Sequence, residues 1–278
     1  MTIAIRQACS PSETKTFDTQ TLRENYLIED IFRAGEVTMT YSHLDRTVVG
    51  GAVPTGAALA LKSSKQIGSP NFLDRREVGI INIGAPGTVT ADGESHALKG
   101  RDCLYLPMGI MDVIFASDDA ANPARYYFVS TPAHHAYKAQ KIAPEDANLL
   151  ELGTQSDANV RALRQYIHPD VCESCQLVMG ITTIMDGSVW NTMPCHTHDR
   201  RSEVYLYFDM AEETRMFHFM GEPTETRHML VTNEQAVLSP GWSIHSGAGT
   251  GRYSFVWSMA GDNQDFTDMD FVPMAELR

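Results

Sequence analysis

The chain has 278 residues, with 22 Lys and Arg against 35 Asp and Glu, for a formal net charge of −13. That balance excludes a phosphate-neutralising surface, because nucleic-acid binders cluster basic side chains. At 43% hydrophobic and 21% charged the composition is that of a folded protein, and no apolar run of about 18 residues is present to span a membrane. Residues 1–18 have neither a basic n-region nor an apolar h-region. The expectation is a soluble cytoplasmic protein that engages neither nucleic acid nor membrane.

In chain order, the first predicted element is a helix over residues 18–32, with Leu22, Tyr26 and Leu27 on one face. Short strands follow at residues 78–83, 87–91 and 113–117, separated by turn signals such as Asp92-Gly93. Residues 136–170 break the β pattern and read as a connecting segment. Within it Val160, Leu163, Tyr166 and Ile167 stand at helical spacing, which predicts a helix over 156–168, capped by Ser156 and stopped by Pro169. Strands resume at 176–184, 204–208, 228–232 and 253–259, with turns at Asp186-Gly187 and Pro240-Gly241. The pattern is that of an all-β sandwich or barrel protein with a few short helices.

The two halves resemble each other. Arg75-Arg76-Glu77-Val78 and Arg201-Ser202-Glu203-Val204 each open an apolar strand, and Pro107-Met108-Gly109 and Pro240-Gly241 stand at comparable distances beyond them. Such self-similarity points to a duplicated β unit. The expected division is an N-terminal domain over 1–135, a connecting segment over 136–170, and a C-terminal domain over 171–278. Five cysteines, an odd and scattered set, do not form a disulfide framework and fit a reducing compartment. Cys172-x-x-Cys175 lacks the second ligand pair of a structural zinc site and reads as two buried thiols at a strand start.

The informative stretch is residues 190–203. Alternate residues of a strand share a face, so His196 and His198 project to the same side. Four residues then intervene before Glu203, enough for a turn that returns its carboxylate to the same spot. His245 follows in Pro240-Gly-Trp-Ser-Ile-His245. Three imidazoles and one carboxylate make a good donor set for Zn²⁺ and an acceptable one for Fe²⁺, Mn²⁺ or Ni²⁺. The other histidines, His228 apart, have no distinguishing spacing. Trp190, Trp242 and Trp257 are expected in the core or a pocket wall, and Tyr41, His43 and Arg46 in packing.

The spacing His196-x-His198-x4-Glu203 followed by Pro240-x4-His245 resembles the two metal-binding motifs of the cupin superfamily. That resemblance implies duplicated double-stranded β-helix barrels, with the metal inside the second. Gly241 departs from the pattern by following Pro240 immediately. The first half resembles a cupin without metal ligands: Asp112 stands where the histidine would be, and no His-x-His precedes Glu77. Longer blocks narrow the match. Residues 41–51, 75–84, 190–198, 225–228, 233–236 and 242–247 are similar to the 5-keto-4-deoxyuronate isomerase family, and the likeness runs end to end. Ser202 departs from it on the face opposite Glu203.

That family resemblance implies an enzyme of pectin and uronate breakdown. It would convert 4-deoxy-L-threo-5-hexosulose uronate into 3-deoxy-D-glycero-2,5-hexodiulosonate, as a homohexameric zinc protein. Moving a carbonyl from C1 to C2 needs a proton carrier, for which His228, Glu222 and Tyr205 are candidates. The substrate carboxylate suits a guanidinium fork, for which Arg201 and Arg227 are candidates. An iron dioxygenase and a non-enzymatic sugar-binding cupin are the competing readings of the same donor set.

Overall fold

The computed structural model describes residues 3–262 and 264–278. The chain divides into two compact units. The first holds the strand Ile3–Arg6, Asp30–Asn148 and Tyr166–Met179; the second holds Gln7–Glu29, Leu149–Gln165 and Gly180–Arg278. No helix among the described residues is long and apolar enough to cross a membrane.

In the first unit a seven-stranded sheet runs in the order Ile3–Arg6, Val37–Ser42, Val48–Ala52, Tyr126–Pro132, Arg76–Asn82, Cys103–Leu106, Gln140–Ile142. A four-stranded sheet, Leu59–Ala60, Val113–Ser117, Gly87–Ala91, Glu94–Leu98, accompanies it. Val48, Ile80, Leu104 and Phe128 of the large sheet share one buried cluster with Val89, Val113 and Phe115 of the small one. The stacked rings of Phe115 and Phe128, 6.1 Å apart, join the two sheets. Burying side chains of this size contributes about 1.5–3 kcal/mol each, which is what closes the sheets on one another.

The second unit repeats this order strand for strand. Val178–Ile184, Ser254–Gly261, Arg201–Phe208 and Gln235–Ser239 succeed one another as Val48–Ala52, Tyr126–Pro132, Arg76–Asn82 and Cys103–Leu106 do. The small sheet Trp190–Asn191, Ser246–Gly249, Met216–Glu222, Glu225–Val231 matches its counterpart likewise. The fold is therefore all-β, with a duplicated two-sheet unit of the cupin type.

Two predicted helices are corrected. The first spans only Thr19–Tyr26, capped by Asp18, whose carboxylate accepts from the Thr21 amide at 2.8 Å. Leu27 and Ile28 leave it and pair as a strand with Val237 and Ala236. The helix over 156–168 does not form. A single 3₁₀ turn, Gln155–Asp157, is capped by Thr154 and ends at Ala158 in the left-handed region (φ 52°). Arg161–Ile167 is then a strand between Asn148–Leu152 and Val178–Ile184. Sheet pairing on both sides overrides a spacing that fits either period. All five cysteines are free. Cys172 is buried as expected, but Cys175 is only half-buried.

In the first unit Glu77 occupies the strand position that Glu203 occupies in the second. Its buried carboxylate accepts from Tyr105 Oη (2.8 Å), Thr131 Oγ1 (3.1 Å) and the amides of Cys175, Gln176 and Leu177 (2.7, 2.8 and 2.9 Å). Three of these five bonds hold the backbone of Cys175, Gln176 and Leu177, and the carboxylate has no lone pair left for a metal.

Candidate metal centre

The strand Arg201–Phe208 pairs along its whole length with Ser254–Gly261, Glu203 opposite Met259 and Tyr205 opposite Trp257. Its period of two places Arg201, Glu203 and Tyr205 on one face. His196 lies on the short strand His196–Thr197, which pairs with Asp270–Phe271 near the C-terminus. The backbone then turns so that the His198 amide donates to Gly241 O at 2.9 Å. Gly241 sits so close that a Cβ there would lie 2.4 Å from His198 O and 2.7 Å from Arg201 O. The departure from the cupin spacing noted at Gly241 is thus a requirement of this packing.

His196, His198, Glu203 and His245 are all buried, and one ligand atom from each lies within 4.8 Å of the others. His198 Nε2 is 2.9 Å from Glu203 Oε1, and His245 Nε2 is 3.5 Å from the same oxygen. His245 Nε2 and His196 Nε2 face each other at 3.0 Å. His198 Nδ1 donates to Asp268 O at 2.7 Å, which turns its Nε2 inward. A Ser243 backbone hydrogen bond does the same for His245.

Burial lowers the pKa of His245, and it brings His196 down to about 2, with the neighbouring His245 adding to the effect. Both imidazoles are therefore neutral, with their Nε2 atoms facing each other. Burial alone would raise the Glu203 pKa, but His245 and the bond to His198 overcome it and hold the carboxyl well below its usual range. A carboxylate and three ring nitrogens that converge within 4.8 Å fit a divalent cation chemically. Such a cation would be held by His196, His198, Glu203 and His245.

A cavity of about 220 Å³ opens on this cluster. His196, Glu203, Tyr205, Thr192, Thr182 and Arg161 line it among apolar walls that include Phe255, Trp257 and Phe271. Tyr205 is buried, its ring 5.5 Å from that of His245 and its hydroxyl 3.3 Å from Thr192 Oγ1. Burial, and then the Glu203 charge, push the Tyr205 pKa well above 10.0, so it is a neutral phenol.

The other sequence candidates lie elsewhere. His228 is exposed on Glu225–Val231, its ring 5.8 Å from Phe217. Glu222 ends the strand Met216–Glu222 and lines a separate crevice with Lys15 and Trp242. Arg227 pairs with Glu225 at 2.6 Å and donates to Lys15 O. Arg201 shares the face of Glu203, but its guanidinium donates to Asp265 O (2.5 Å) and Asp268 O (2.6 Å). It ties the C-terminal segment against His198. That segment also supplies Phe266, Met269 and Phe271 to the cavity wall. Sequence reasoning missed it because it carries no periodicity, and missed Arg161 because its strand mimics a helix.

The KduI/IolB family model matches residues 26–274 of the chain. The chain belongs to the KduI/IolB family. It is 54% identical over 278 residues to 4-deoxy-L-threo-5-hexosulose-uronate ketol-isomerase 1 of Rhizobium meliloti (strain 1021), covering 100% of this chain and 99% of the relative. The relative of that activity name from Halalkalibacterium halodurans is 52% identical, with 98% of this chain and 99% of the relative covered. Among solved structures, an IolB-like protein from Salmonella typhimurium LT2 matches with a TM-score of 0.71 at 15% identity, over 89% of this chain and 97% of that one. A mutant oxalate decarboxylase of Bacillus subtilis matches with a TM-score of 0.52 at 12% identity, over 81% and 71%. At these identities the KduI/IolB chain shares a fold with both structures.

Proposed function

We propose that the chain is a metal-dependent ketol-isomerase that converts 4-deoxy-L-threo-5-hexosulose uronate into 3-deoxy-D-glycero-2,5-hexodiulosonate in uronate breakdown. The observation that carries this reading is a buried three-histidine, one-glutamate cluster opening on a cavity, in a chain about half identical end to end to proteins of that name. Zinc is the ion we assign to His196, His198, Glu203 and His245, since N and O donors without Cys favour a catalytic over a closed structural zinc. The homohexamer and cytoplasmic location implied by the family resemblance belong to the same proposal.

The reaction passes a hydrogen from C2 to C1 through an enediol. A divalent cation would polarise the carbonyl and favour the developing negative charge. Among the three proton-transfer candidates only Tyr205 lines the cavity. A phenol kept neutral beside Glu203 is suited to donate its proton to the C1 oxygen as charge grows there and to recover one from the C2 hydroxyl as the new carbonyl forms. It thus serves the two oxygens, while the hydrogen that passes from C2 to C1 is moved in a separate transfer. The buried Phe255 and Trp257 of the wall keep water from that side of the cavity, which protects the enediol and strengthens each polar contact there.

The test is proton NMR of the purified, zinc-loaded protein with the hexosulose uronate. Loss of the aldehyde-hydrate signal with growth of a ketose CH₂OH is expected. An unchanged spectrum would reject the isomerase, and oxygen uptake or unreacted bound sugar would support the oxygenase or binding reading.

A further inference from the structure

Arg161 begins the strand Arg161–Ile167 and, with Leu163 two residues on, lines the cavity that opens on the metal centre. Among the described residues it is the one guanidinium or ammonium in that lining. It is half-buried, and its Nη1 donates to Asn159 O at 2.8 Å. No carboxylate among the described residues pairs with it. A guanidinium withdrawn from water beside apolar walls, without an anion, is a costly arrangement that a bound anion relieves. Burial accordingly lowers its pKa from the usual guanidinium value. Two further polar atoms belong to residues of the same wall. Thr182 Oγ1 and Trp257 Nε1 are buried without a hydrogen-bond partner.

We infer that Arg161 is the carboxylate-binding residue of the cavity and fixes which end of a uronate meets the metal centre. The inference rests on the isomerase reading for the identity of the anion. A linear uronate has its carboxylate at C6 and its reacting carbons at C1 and C2. Holding C6 at Arg161 leaves C1 and C2 free to reach His196, Glu203 and Tyr205, which line the same cavity. A guanidinium can grip both carboxylate oxygens at once. Arg201 does not line the cavity, and its Nη1 and Nη2 donate to Asp265 O and Asp268 O. Arg227 lies outside the cavity lining.

The experiment compares zinc-loaded wild type with Arg161→Met and Arg161→Lys, measuring the dissociation constant of the hexosulose uronate by calorimetry alongside KM and kcat. Arg161→Met should weaken binding roughly 10- to 100-fold, the worth of a charge-assisted hydrogen bond. Arg161→Lys should fall between, with zinc content and thermal midpoint unchanged. The loss should appear mainly in KM. Should Arg161→Met fail to fold, Arg161→Lys decides alone, and an unchanged dissociation constant in it would overturn the inference. A wild type that binds the uronate through Arg161 but does not turn it over would remove the isomerase reading and leave the carboxylate site standing.

Discussion

His198 presents each ring nitrogen to an acceptor, Asp268 O on one side and Glu203 Oε1 on the other. Only a proton or a cation between Nε2 and the carboxylate makes the second contact favourable. The same holds between His196 and His245, whose Nε2 atoms stand 3.0 Å apart. Tyr205, two residues from Glu203 on the same face, lines the cavity beside this cluster and is the group we propose exchanges protons with the substrate oxygens. Tyr205→Phe keeps the ring packed against His245 and Phe255 and removes only the hydroxyl. It is expected to lower kcat by about 10²- to 10⁴-fold, with zinc stoichiometry and thermal midpoint preserved. A kcat within a few-fold of wild type would take Tyr205 out of the proton transfer.

At the scale of elements, the centre depends on a loop pressed against a strand end. Gly241 touches the backbone of both His198 and Arg201, and Arg201 in turn anchors the segment carrying Asp265 and Asp268. A methyl group at 241 would have to push backbone rather than a flexible side-chain end. Gly241→Ala should therefore displace His198, weaken zinc binding at least 10-fold in a chelator competition, and lower the thermal midpoint by a few degrees. Wild-type zinc affinity in Gly241→Ala would contradict the close packing. The cluster of His196, His198, Glu203 and His245 was legible in the sequence because short spacings bring the first three together and the Pro240-x4-His245 pattern adds the fourth. Arg161 was not, because Val160, Leu163, Tyr166 and Ile167 fit a helical period as well as a buried strand, and only pairing with the strands on either side decides between them. The wall formed by Phe266, Met269 and Phe271 was equally hidden, since a segment held by backbone carbonyls leaves no pattern of side chains.

Across the whole molecule, one strand order appears twice with two outcomes. Glu203 meets three imidazoles, whereas Glu77, at the matching strand position, meets five hydrogen-bond donors. The repeat of Arg-x-Glu-Val at 75–78 and 201–204 made the duplication readable. The fate of each glutamate depends on partners far away in the chain, such as Tyr105 and Leu177 for Glu77 or His245 for Glu203. Among the described residues the one buried His/Glu cluster that could hold a metal ion therefore lies in the second unit, where three imidazoles converge on Glu203. The most direct test strips zinc from the protein with a chelator, verifies its removal by elemental analysis, and restores the ion in steps while turnover of the hexosulose uronate is followed by NMR. Turnover should vanish with the metal and return in proportion to occupancy, saturating at one ion per chain. Full turnover by metal-free protein would contradict the account.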